Sequence, residues 1–128
     1  MANVFISHRG SDTPVAKRLA AEIRAAGHAV WFDQWEIDLG DSIVEQMERG
    51  LNGATYVVVC YSDQGVSAPW MGREWMSALA RQLDGRGVKL LPVRLTGGEP
   101  PALLADIKYA DLVKDWSGGV AQLLRAIR

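Results

Sequence analysis

Trp70 and Glu74 stand four residues apart. In a helix that starts near Pro69 they share one face of the first turn, which sets a carboxylate beside a large aromatic plate. A fixed negative charge in a dry cleft stabilises a cationic transition state. Breaking a glycosidic bond passes through such a state at the sugar carbon. On the residues alone a second reading stands beside this one. An acid in the first turn is favourable near the helix dipole and needs no further role. Trp70 likewise reads as core packing, or as the plate that excludes water and restrains the glutamate.

The elements that must position this pair follow from the pattern of apolar residues. Residues 57–60, Val57-Val58-Val59-Cys60, read as the end of a buried strand over 55–60, and residues 61–69 as the crossing into a helix. Further strands are expected over 4–7, 29–33, 88–95 and 107–113. Pro92 lacks an N–H, so the fourth strand should carry a bulge or lie near an edge there. Between the strands come helical stripes. Val15, Ala16, Leu19, Ala20 and Ile23 follow a cap at Asp12 or Thr13, with Pro14 in the first turn and Gly27 as the stop. Ser42 and Glu45 form a capping box before Ile43, Val44, Met47 and Leu51, with Gly50 or Gly53 ending that helix. Trp75, Met76, Leu79, Ala80 and Leu83 form the buried stripe of the third helix. Residues 102–104 suit a single helical turn. Ser117 should cap a last helix built on Val120, Leu123, Leu124 and Ile127.

Strands alternating with helices call for a parallel sheet covered on both faces. Without a hairpin signal the expected fold is α/β and flavodoxin-like, five parallel strands in the order 2-1-3-4-5. Ligands of such sheets sit at the carboxyl ends of the strands, near the switch between strands 1 and 3. Residues 7–12, 33–40 and 61–74 fall there, and the polar and aromatic oddities of the chain concentrate in them.

Composition narrows the function classes. The 128 residues read as one domain, 1–128, and the hydrophobic fraction of 48% is ordinary for a globular chain. A formal net charge of -1 gives no basic surplus for nucleic acid. No apolar run approaches membrane-spanning length, and residues 1–7 lack the pattern of a signal peptide. The lone Cys60 rules out an internal disulfide and suits a reducing compartment, so a cytoplasmic location is expected. His8, His28 and Cys60 lack metal-ligand spacing. Residues 7–12 are not the G-x-G-x-x-G of a dehydrogenase, and no Walker A motif is present. A phosphorylation receiver would need an acidic pair after strand 1 and an aspartate ending strand 3, where this chain has Ser7-His8 and Cys60-Tyr61.

In order along the chain, Phe5-Ile6-Ser7-His8 with Ser11-Asp12, Trp31-Phe32-Asp33, Leu39-Gly40-Asp41-Ser42-Ile43, Tyr61-Ser62, and Ser67-Ala68-Pro69-Trp70 leading to Glu74 resemble a TIR (Toll/interleukin receptor) domain of the bacterial, NAD+-consuming type. The resemblance covers nearly the whole chain and weakens after Leu95. It implies one of two functions. One is an NAD+ glycohydrolase that releases nicotinamide and leaves ADP-ribose or a cyclic isomer, as an immune or defence effector activated by oligomerisation. The other is a non-catalytic TIR–TIR interaction module in signalling. A nucleoside deoxyribosyltransferase-like enzyme shares the fold and the glutamate chemistry and is a minor competitor.

The chemistry favours the enzyme. Nicotinamide carries a positive charge in NAD+ and departs neutral, so no general acid is needed, and one carboxylate suffices where glycoside hydrolases use two. The resemblance makes Glu74 the catalytic residue and Trp70 its support. Ser7, His8 and Arg9 could hold a pyrophosphate, or form an ordinary polar loop. Asp33 could bind a ribose hydroxyl, or start the next turn. Trp35, expected in a loop, could stack on the nicotinamide or adenine ring, or meet a neighbouring protomer. Trp31 and Trp75 read as core, Trp116 as cover for the far edge of the sheet, and Cys60 as packing. No cofactor is implied, NAD+ being the substrate. The expected partners are NAD+, other TIR domains through the loop 34–42, and a fused or associated sensor module, with neither nucleic acid nor membrane contacted directly. Gly72, inside the W-x-x-x-E stretch, costs its helix up to ~1 kcal/mol relative to alanine.

Overall fold

A run of β-branched residues is stable where both faces of a strand are covered, and Val57-Val58-Val59 lies at the centre of the sheet, in β3 (Tyr56–Ser62). The computed structural model describes residues 2–8, 12–62, 65–66, 85, 88–99 and 107–127. β1 (Asn3–Ser7) runs parallel to β3, with Val4 beside Tyr56 and Ser7 beside Val59. β2 (Ala29–Trp31) lies outside β1, Phe5 beside Trp31. A two-residue strand, β4 (Gly65–Val66), doubles back antiparallel on the end of β3. On the other side of β3 come β5 (Lys89–Arg94) and β6 (Ala110–Asp111), both parallel. Among the described residues the order is β2-β1-β3-β5-β6, which for the parallel strands is the expected 2-1-3-4-5. The small hairpin made by β4 had no signal in the sequence.

The helices described are α1 (Thr13–Ala25), α2 (Asp33–Glu36), α3 (Ile43–Gly53) and α4 (Trp116–Ala126). α1 lays its stripe of Ala16, Leu19, Ala20 and Ile23, together with Val120 and Leu123 of α4, over Val4, Ile6, Val58, Cys60, Leu91 and Val93. The alternate residues Phe5, Val57, Val59 and Tyr61 are buried too, and the two-residue period of a strand turns them to the opposite face. There Phe5 stacks on Trp31 with ring centroids 4.5 Å apart. α3 backs onto the indole so closely that a Cβ on Gly50 would lie 2.7 Å from it. Of the two expected stops, Gly53 ends the helix, and Gly50 is inside it, where it admits the Trp31 ring. Among the described residues no helix is long and apolar enough to cross a membrane.

The serine half of the expected capping box is in place. The Ser42 hydroxyl accepts from the Glu45 N–H at 3.3 Å, a contact typically worth about 1 kcal/mol. Leu51 is buried as expected, while the side chains of Ile43, Val44 and Met47 lie outside the described residues. Asp12 takes the N-cap position of α1 without a side-chain cap bond, and Pro14 stands in the first turn. At α4 the cap is Asp115, which accepts from the Gly118 N–H at 3.1 Å, and Ser117 lies within the helix. Trp116 does not cover the far edge. Its indole N–H donates to the Glu22 carboxylate at 2.6 Å beneath the Arg18 guanidinium, and so ties α4 to α1.

Other boundaries moved for local reasons. β2 stops at Trp31 and the turn of α2 takes over at Asp33. β6 is shorter than expected because the Asp111 carboxylate accepts from the N–H groups of Val113 and Lys114, at 3.0 and 3.1 Å, which turns the chain away. The β3–β5 register is unbroken through Pro92, so no bulge forms. Lys89 donates to Thr55, just before β3, and Leu95 to Tyr61 within it, and the strand period points position 92 to the other side. Pairing with β6 begins there one residue later, Val93 beside Ala110, so the missing donor is not needed. The expected third helix over 69–83 and the turn at 102–104 lie outside the described residues.

Candidate active site

The buried polar side chains among the described residues are Ser7, His8, Asp12 and Ser62. All four lie at one end of the sheet. Ser7 and Ser62 end β1 and β3, and His8 and Asp12 stand between β1 and α1. Burying such groups costs free energy unless they are paired, so their collection at the carboxyl ends of adjacent strands marks this rim as different from the rest of the core.

One contact in it links the exit of β1 to the start of α2. Parallel pairing brings Phe5 level with Trp31, and just beyond, the chains reach His8 and Asp33. His8 Nε2 lies 2.8 Å from Asp33 Oδ1, with side-chain exposures of 3% and 24%. An ionised carboxylate only accepts, so the ring donates from Nε2. The imidazole stacks on Phe32 at 5.0 Å and 24°. Phe32 is wholly buried and meets the edge of Trp35 at 5.2 Å, and Arg24 caps Trp35 at 5.2 Å. Trp35, expected in a loop, is in α2 and packs against the core.

Two further groups on β3 differ in character. Burial first, and the charge of Asp12 second, push the Cys60 thiol up to about 12, which agrees with a packing role. Tyr61 is fully buried at the end of the strand, and its hydroxyl has no hydrogen-bond partner among the described residues. Burial above all, then Tyr109, pushes its phenol up to about 12. In register with Tyr61 is Arg94, whose guanidinium reaches the Asp111 carboxylate at 3.2 Å and the Gly98 carbonyl at 3.2 Å. Burial opposes the charge on Asp111, but the Lys114 amide, Arg94 and the Val113 amide together hold its carboxyl below the ordinary value.

Of the residues singled out in the sequence, Ser7, His8 and Asp33 come together at the rim. Trp35 joins them through Phe32. Arg9, Trp70 and Glu74 lie outside the described residues. The Arg94–Asp111 pair had not been singled out, and Tyr61 had been given no role in the site. Their signal is a charged or polar residue ending an apolar strand, and it becomes specific once the strand register is known.

The sequence model of the TIR domain matches residues 4–124. The chain belongs to the TIR domain family. Over 90 residues it is 34% identical to a 2' cyclic ADP-D-ribose synthase, BtTIR, of Bacteroides thetaiotaomicron, which covers 70% of this chain and 31% of that protein. Over 92 residues it is 30% identical to the NAD(+) hydrolase TcpA of a Theionarchaea archaeon, 71% of this chain and 28% of that protein. The aligned part is thus under a third of either relative. Among solved structures, the TIR domains of the activated Roq1 resistosome superpose with a TM-score of 0.75 at 17% identity, covering 98% of this chain and 99% of that one. The TIR domain of the Toll-related receptor TRR-2 from Hydra magnipapillata gives 0.66 at 14%, with the same coverage. These two likenesses establish the fold.

Proposed function

We propose that this TIR domain, residues 1–128 as one unit, cleaves the nicotinamide–ribose bond of NAD+. Nicotinamide departs neutral. The ribose carbon is then captured by water, giving ADP-ribose, or by a hydroxyl of the same molecule, giving a cyclic isomer, and in either case the attacking oxygen releases a proton. What carries the reading is the match to bacterial and archaeal relatives named for these two reactions, in a chain that retains the W-x-x-x-E residues Trp70 and Glu74. Glu74 supplies the fixed negative charge beside the forming cation, and Trp70 shields it. Ser7 and Arg9 hold the pyrophosphate, Asp33 meets a ribose hydroxyl, and Trp35 backs that wall.

The domain works as an assembly of copies joined through the loop 34–42. Leu39 in that loop is fully exposed and open to contact with a neighbouring copy. The setting is the cytoplasm, where a fused or associated sensor gathers copies as a defence effector. The fully exposed Leu39 also suits the alternative, a silent interaction module. Incubating assembled protein with NAD+ and following nicotinamide by chromatography separates the two. Glu74→Gln is expected to lower turnover by about 10²–10³-fold, the usual scale for one electrostatic stabiliser, with the fold intact by circular dichroism. Assembled wild type that releases no nicotinamide establishes the silent module.

A further inference from the structure

We infer that His8 is a positioning residue that acts on the nucleotide through Asp33 and makes no contact of its own. The inference rests on the proposed NAD+ reading. Three observations carry it. The His8 side chain is 3% exposed while that of Asp33 is 24% exposed, so the carboxylate reaches the rim and the imidazole lies behind it. The two are joined at 2.8 Å, short enough for a charge-assisted hydrogen bond. The ring itself is held from below by Phe32, which in turn is braced by Trp35. A fixed donor behind a partly exposed carboxylate selects one rotamer of it, and the group is then ready for a ribose hydroxyl without further ordering.

The arrangement has a second effect. Asp33 opens α2, and the chain runs directly from α2 into the remainder of the loop 34–42. The same hydrogen bond therefore anchors the start of that loop to the exit of β1. His8 thus sets both the carboxylate that meets the sugar and the base of the segment that meets a neighbour.

The test uses three variants in the full chain, assembled as for wild type. His8→Phe keeps the stacked ring and removes the donor. His8→Gln returns a donor close to Nε2. Asp33→Ala removes the acceptor. The readouts are kcat and KM for NAD+, the Kd for NAD+ by calorimetry in a Glu74→Gln background, and the melting temperature. His8→Phe is expected to raise KM and Kd by about tenfold, the size of one hydrogen bond to a charged group, with kcat within twofold. His8→Gln should recover most of the affinity. The double variant His8→Phe/Asp33→Ala should bind no more weakly than Asp33→Ala, because the two residues act as one unit.

Three results overturn the inference. His8→Phe that lowers the melting temperature yet leaves Kd within twofold makes the pair structural. Penalties that multiply in the double variant make His8 a direct contact. His8→Gln as weak as His8→Phe shows that the donor is not what matters. Wild type that releases no nicotinamide overturns the proposed reaction instead, and the calorimetric Kd then decides this inference by itself, absence of NAD+ binding counting against it.

Discussion

Two side-chain pairs stand on the same rim of the sheet and are built differently. His8–Asp33 joins β1 to the end of β2 at 2.8 Å, with the histidine almost wholly enclosed. Arg94–Asp111 joins β5 to β6 at 3.2 Å, with side-chain exposures of 29% and 25%. Water can satisfy either member of the second pair if the other is removed. It cannot reach His8 as easily. The first pair is therefore the costlier one to break, and the second is an accessory that secures a strand end.

Removing Asp33 is the strongest way to test that contrast. Asp33→Ala takes the carboxylate from a buried donor and is expected to cost about 2–3 kcal/mol of stability, read by urea denaturation. An effect below the one at Arg94 would break the comparison. Gly50→Ala sets an intermediate scale away from both pairs. The new methyl must displace the Trp31 ring that lies 2.7 Å away, a strain of about 1–3 kcal/mol offset in part by the ~1 kcal/mol gain in helix propensity. A net loss near 1 kcal/mol is expected in the same assay, and a gain would show that the indole moves freely.

Arg94→Met should cost less than about 1 kcal/mol, because water reaches both partners of this partly exposed pair. Its pH dependence sharpens the point. The Asp111 carboxyl is held below its ordinary value of 3.8 in the folded chain, so its contribution is present above that value and is lost as pH falls through the lowered one. Urea midpoints of wild type and Arg94→Met should differ slightly near neutrality and converge in acid. The smallest effect near neutrality concerns Cys60. With its thiol pushed up to about 12 from 9.0, the folded protein should not react with a thiol reagent at neutral pH except by unfolding. The stability tied to the neutral thiol is complete below pH 9.0 and drains away as pH rises toward 12.

The parallel order was legible because each strand is a short apolar run separated from the next by a helical stripe or a loop. Boundaries failed where structure is too short to have a period. A single turn such as α2 leaves no stripe, and β6 is ended by one aspartate side chain. The strand-end rule found Ser7, His8 and Asp33 as candidates for the site. It did not find that His8 and Asp33 hold each other, since their sequence separation is 25 and their meeting depends on the β1–β2 register. The Arg94–Asp111 pair was hidden for the same reason. Trp35 was read as a loop residue because its surroundings are polar in sequence, whereas Phe32, three positions earlier, gives it a packed partner.

The outermost strands, β2 with three residues and β6 with two, are the shortest of the parallel set. An open sheet edge offers backbone N–H and C=O groups to any other chain, and a long, flat edge is the template on which proteins aggregate. Here each edge presents too few to start a ladder. Crowded copies are thereby denied the backbone route to fibres, and contact between them is left to side chains, whose associations come apart again.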